Sequence, residues 1–119
     1  MVVAVDDDFR VRESIARLAN SAGYDPKMFP SAQALLDSGT LAEAACLITD
    51  VRMPGIDGLQ LQQRVRNAYP TLPVIFISAH IDEEVRGRAL GGGALDFLYK
   101  PFDGEELLRA IERAVEHQS

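Results

Sequence analysis

The chain is poor in cysteine, histidine and positive charge. It holds one Cys and two His, and its 12 Lys and Arg stand against 18 Asp and Glu, for a net charge of −6. With no Cys/His cluster there is no basis for a zinc centre, and Cys46, inside an apolar run, reads as a small core residue rather than a nucleophile or half of a disulfide. The acidic balance disfavours direct binding of nucleic acid. No apolar stretch approaches the ~20 residues that cross a bilayer, and no charged-then-apolar leader opens the chain, so the expectation is a cytoplasmic protein without membrane contact. What is present is ordinary for a globular protein: 119 residues, 47% hydrophobic and 25% charged. That length supports one compact domain, residues 1–119, with a real core and no room for a second.

Short continuous apolar runs alternate with helical periods, the pattern of parallel strands joined by crossover helices. Four runs end in reactive groups. Val2-Val3-Ala4-Val5 leads into Asp6-Asp7-Asp8, and Cys46-Leu47-Ile48-Thr49 into Asp50, followed by Val51-Arg52-Met53-Pro54-Gly55-Ile56-Asp57-Gly58. Pro73 to Ile77 leads into Ser78, and Leu95 to Tyr99 into Lys100-Pro101. Parallel sheets build their sites at the carboxyl ends of strands, so acids, a hydroxyl and a lysine should meet at one sheet edge. A weaker strand over Tyr24 to Phe29 contains Pro26, which suits an edge.

The helices follow from spacing and end signals. Val11, Ile15, Leu18 and Ala22 mark the first, stopped at Gly23, and Ser31 caps a second running through Asp37 toward Gly39. Leu61, Val65, Ala68 and Tyr69 mark a third, begun after Gly58 and stopped before Pro70. Val85, Ala89 and Leu90 suggest a fourth, but Gly87, Gly91 and Gly92 fall within it and Gly93 is its terminator. Each interior glycine costs ~0.8 to 1 kcal/mol against Ala, which makes this the loosest element. The last helix opens on an Asp103/Glu106 capping box and turns Leu108, Ile111 and Val115 inward. The fold class is therefore α/β, five strands alternating with five helices.

Carboxylates gathered within a few ångströms repel one another unless they are protonated, paired with a cation or bound to metal. An oxygen-only donor set suits Mg²⁺ or Mn²⁺. A lysine at the same edge offers a point charge to a phosphoryl oxygen, a serine offers a hydroxyl donor, and an aspartate can attack phosphorus to form an aspartyl phosphate. The set points to phosphoryl transfer, in which cations neutralise charge on the equatorial oxygens. Each feature alone is commonplace: an acidic triplet usually caps a helix, a strand-end serine is usually a loop hydroxyl, and Lys-Pro is usually a turn. His80 reads as a solvated loop histidine.

Val5-Asp6-Asp7-Asp8, Thr49 to Gly55, Asp57-Gly58, Ile77-Ser78-Ala79, Gly93 to Leu98 and Lys100-Pro101-Phe102 together closely resemble the receiver domain of bacterial two-component response regulators, over essentially the whole chain. The resemblance implies a flavodoxin-like single parallel sheet in the order 2-1-3-4-5 with helices on both faces. It implies that Asp50 is the phosphoacceptor, and that Asp6 and Asp7, with Asp50 and the backbone carbonyl of Arg52, hold Mg²⁺ or Mn²⁺, Asp7 being the more direct ligand of the pair. It makes Ser78 the hydroxyl that turns to the new phosphoryl group, Lys100 its ion-pair partner, and Phe97 the aromatic that changes rotamer. It implies a cis Lys100-Pro101 bond. It also implies a sensor histidine kinase as donor, an output DNA-binding domain or other effector, and a switch surface on the fourth helix, fifth strand and fifth helix that could also pair two copies. Such a domain assists its own phosphorylation without being an enzyme on other substrates. Two alternatives share some of these groups: an aspartyl-phosphate hydrolase, which would carry Asp-x-Asp-Thr/Ser after the first strand, and a receiver-like binding module that lacks part of the set. Asp8 extends the acidic pair to a triplet, which leaves open whether it shifts the metal register or caps the first helix.

Overall fold

The computed structural model describes residues 1–118, with side chains through residue 116. Five strands, β1 (Val2–Val5), β2 (Pro26–Phe29), β3 (Cys46–Asp50), β4 (Val74–Ser78) and β5 (Asp96–Tyr99), alternate with α1 (Phe9–Ser21), α2 (Ala32–Ser38), α3 (Gly58–Ala68), α4 (Glu83–Gly91) and α5 (Gly104–Gln118). A single 3-10 turn, Thr40–Glu43, precedes β3. The strands form one parallel sheet in the order β2-β1-β3-β4-β5. The α/β expectation and the strand order both hold, with β2 and its Pro26 at an edge. None of the helices among the described residues is long and apolar enough to cross a membrane.

Every residue of β1, β3 and β4 is buried, because helices cover both faces of a parallel sheet. Period-two alternation divides these strands between two cores. Val3, Val5, Leu47, Phe76 and Phe97 face α2, α3 and α4, whereas Val2, Ala4, Ile48, Ile75, Ile77 and Leu98 face α1 and α5. Cys46 lies in the second core, where burial pushes its thiol up to about 12, so it remains a neutral, inert packing group.

Several helix expectations are refined. In α1 Ala19 is buried along with Ile15, while Ala22 is the exposed C-cap. In α5 the core face is Leu107, Ala110, Ile111 and Ala114; Leu108, read as inward, is only half-buried, because the stripe begins one residue earlier. In α3, Ala68 is exposed and a polar residue, Gln62, is buried instead. Asp57 and Gln60 close a reciprocal capping box at the start of that helix, a signal the spacing analysis did not use. In α4 only Gly87 and Gly91 are helical: Gly92 is the C-cap and Gly93 takes φ 101°, so the propensity loss is smaller than three interior glycines would bring.

Candidate functional site at the carboxyl edge of the sheet

The strand order reverses between β1 and β3, and at such a switch point the outgoing loops part and leave a crevice. Val5 pairs in register with Thr49, so the next residues, Asp6 and Asp50, emerge side by side. One carboxylate oxygen from each of Asp6, Asp7 and Asp50 can lie within 4.8 Å of the other two. Asp6 is fully buried, Asp50 is 6% exposed and Asp7 is open to solvent, so the cluster has an outer wall that water and small ions can reach.

Asp8 stands apart from the cluster. Its carboxylate accepts the Arg10 backbone N–H at 2.9 Å and caps α1, while its own N–H donates to Asp6 Oδ1 at 2.8 Å. The third acid is thus committed to the helix end and helps to orient the first.

Asp50 is held at two points. Its Oδ1 accepts the Val51 N–H at 2.8 Å, and its Oδ2 accepts from the Lys100 ammonium at 3.2 Å. Behind it, α3 packs directly on the strand end: Gly58 N–H donates to Val51 O at 2.8 Å, and a Cβ on Gly58 would fall 2.1 Å from Asp50 O. Only glycine allows that approach. The sequence clue was a glycine opening a helix, where propensity disfavours it.

Lys100 reaches between two carboxylates. Its Nζ lies 2.7 Å from Asp6 Oδ2, an ion pair off hydrogen-bond alignment, as well as 3.2 Å from Asp50. The resemblance implied a partner for a phosphoryl group; in this structure the ammonium compensates two acids that would otherwise face each other almost dry. Burial alone would lower its pKa, but the Asp6 and Asp50 carboxylates outweigh that and hold it above the ordinary value. Burial first, then the Asp6 charge, pushes the Asp50 carboxyl up, opposed by Lys100 and the Val51 N–H. The Lys100-Pro101 bond is cis, as expected.

The remaining groups are close in the chain to this edge but differently engaged. Ser78 Oγ donates to His80 O at 3.2 Å and accepts the His80 N–H at 3.1 Å, so the hydroxyl is turned into its own loop and makes no bond to Asp50. Phe97 is buried, stacked on Phe76 with centroids 5.9 Å apart and edge-on to Tyr99 at 5.5 Å. Arg52 is exposed two residues beyond β3, and its guanidinium lies 3.8 Å from Asp82, the residue that caps α4.

The response regulator receiver domain model matches residues 2–112. This chain belongs to that family. The response regulator protein TmoT of Ectopseudomonas mendocina is 44% identical over 116 residues, 97% of this chain and 52% of TmoT. The transcriptional regulatory protein TdiR of Thauera aromatica is 40% identical over 114 residues, 96% of this chain and 50% of TdiR. Among solved structures, FixJ-N superposes with a TM-score of 0.85 at 36% identity, covering 98% of this chain and 93% of that one. The chain spans about half the length of the curated relatives it matches. Phosphorylation of an aspartate is typical of the family.

Proposed function

We propose that the chain is a single receiver domain, residues 1–119, whose Asp50 accepts a phosphoryl group from a sensor histidine kinase. The observation that carries this reading is the meeting of the Asp6, Asp7 and Asp50 oxygens within 4.8 Å, with the Lys100 ammonium 3.2 Å from Asp50. Ionised Asp50 attacks phosphorus, the P–N bond to the kinase imidazole breaks, and an acyl phosphate forms on the side chain. Lys100, already beside the attacking oxygen, neutralises part of the phosphoryl charge without reorganisation. Ser78 leaves its His80 contacts to donate to a phosphoryl oxygen.

The donor set fits Mg²⁺ or Mn²⁺: oxygen only, one exposed carboxylate to admit a hydrated ion, and two buried acids served by a single ammonium. Asp6, Asp7, Asp50 and the Arg52 carbonyl would hold the ion, which when bound neutralises charge on the phosphoryl oxygens. The signal is then read on the face of α4, β5 and α5, with Ser78 and Phe97 as the moving parts, by a DNA-binding output domain, another effector or a second copy. A local charge change biases a two-state element.

Incubation with a small acyl phosphate donor and Mg²⁺ should add one phosphoryl mass to the wild type and none to Asp50→Asn; equal labelling of the variant would sink the assignment. Asp7→Ala should weaken Mg²⁺ binding far more than Asp8→Ala, because Asp8 is committed to the α1 cap. The reverse order in a metal titration would move the site by one residue.

A further inference from the structure

The final turn of a helix leaves carbonyl oxygens without intrahelical donors. In α4 the chain itself serves two of them. Gly93 donates to Leu90 O and Ala94 donates to Ala89 O, each at 3.0 Å, a closure that requires the positive φ of Gly93. Two more donors arrive from α3. Gln62 Nε2 donates to Ala89 O at 2.8 Å, and an Arg66 guanidinium nitrogen donates to Gly92 O at 3.0 Å. Gln62 is 6% exposed and sits on the same buried stripe as Leu61 and Val65. A buried amide without a partner is costly, so its bond to α4 is the condition of its being there.

The glycine at 92 answers to the same contact. Its φ of −79° suits any residue, so the backbone does not call for glycine. A Cβ there would lie 2.8 Å from Gln62 Oε1 and 3.0 Å from Gln62 Cδ and Nε2. The missing side chain makes room for the amide. Two clefts of about 210 Å³ flank the bridge, both lined by Gln62, Arg66 and Gly92, so side chains do not fill the surrounding gap between the helices. The other end of α4 is fastened differently. Asp82 caps its own helix, Arg52 stands 3.8 Å away, and the Ser78 to His80 turn leads into it from the site.

We propose that Gln62, accommodated by Gly92, is a positioning residue that pins the C-terminal end of α4 to α3. Phosphorylation then moves the N-terminal half of α4 about a fixed end. The pivot role rests on the reading of Asp50 as phosphoacceptor; the pin itself does not.

Hydrogen exchange of the unphosphorylated domain tests the pin. Gln62→Leu, close in volume but unable to donate, should speed exchange of the amides at 92–94 by about tenfold, the equivalent of one lost hydrogen bond, and leave those of α5 unchanged. Gly92→Ala should have a similar effect in the wild type. In a Gln62→Ala background, where the crowding is gone, Gly92→Ala should leave exchange there unchanged or slow it. Unchanged exchange in Gln62→Leu, or the same Gly92→Ala effect in both backgrounds, would overturn the pin. On phosphorylation of the wild type, exchange should change more at residues 84–87 than at 92–94, and in Gln62→Leu the change should spread to 92–94. Equal change at both ends of the wild-type helix would overturn the pivot. A wild type that takes no phosphoryl label would refute the Asp50 assignment, while the first two comparisons still decide the pin.

Discussion

The helices on either side of β5 are secured by different forces. α5 places Leu107, Ala110, Ile111 and Ala114 into the core, all fully buried, and an Arg113–Asp96 ion pair ties its outer side to the strand. α4 buries Ala89 alone. Val85 is half-buried, Leu90 is 36% exposed, and Gly87 and Gly91 offer nothing to pack. What α4 has instead lies at its ends: the Asp82 cap at one, the Gly93 closure with the Gln62 and Arg66 donors at the other. Apolar burial grips a helix along its length, whereas end caps leave the middle free, and of the two ends of α4 only the C-terminal one is bonded to another helix. A helix of the second kind can be repositioned at small cost, and it lies beside the strand that carries Phe97 and leads into Lys100.

The largest test of this contrast is Ile111→Ala, which removes a fully buried side chain from α5 and should cost about 2 to 5 kcal/mol in urea denaturation. A loss under about 1 kcal/mol would mean that α5 is not the firmly anchored partner.

Asp50→Asn separates the helices from the charge above them. Asparagine keeps one acceptor oxygen, enough for the Val51 N–H or for Lys100 but not for both, and removes the repulsion with Asp6. The folded-state pKa of Asp50 is raised, so its ionised form costs stability at neutral pH, and that cost fades as pH falls through the folded pKa toward the ordinary 3.8. The metal-free variant should therefore melt a few degrees higher near pH 7, with the gain shrinking on acidification. A gain that grows as the solution is acidified would reverse the assigned sign.

A smaller effect is expected at Gly87. An added Cβ meets nothing within 4 Å, so Gly87→Ala should stabilise the domain by up to ~1 kcal/mol through helix propensity. It should also slow exchange across α4, which in the wild type should be the fastest of the five helices and become more protected on phosphorylation of Asp50. Uniformly slow exchange over residues 82–90 in both states would erase the contrast.

The smallest effect is Leu90→Ala, expected within ~0.5 kcal/mol because the side chain already meets water. A penalty comparable to that of Ile111→Ala would show that α4 is packed after all.

Much of the fold was legible in local pattern. The four buried runs, the Ser31 and Asp103 starts and the glycine stops at Gly23 and Gly93 carry their meaning within a few residues, because caps and turns are local chemistry. Errors came where a face had to be chosen. Leu107 and Leu108 are adjacent and equally apolar, and only the position of the sheet decides which turns inward. No local signal marks Gln62 as buried, because its partner, Ala89, is 27 residues away.

Residue types and order by themselves settled that this chain is a parallel α/β domain with acids, a hydroxyl and a lysine at the strand ends. They did so because burial period and end signals are short-range. The tertiary structure alone decided how those groups are paired: Asp8 with the α1 cap, Lys100 between Asp6 and Asp50, Ser78 turned back on His80, and Gln62 on the end of α4. Those pairings depend on distances between segments far apart in the chain, which strand order, register and helix packing set together.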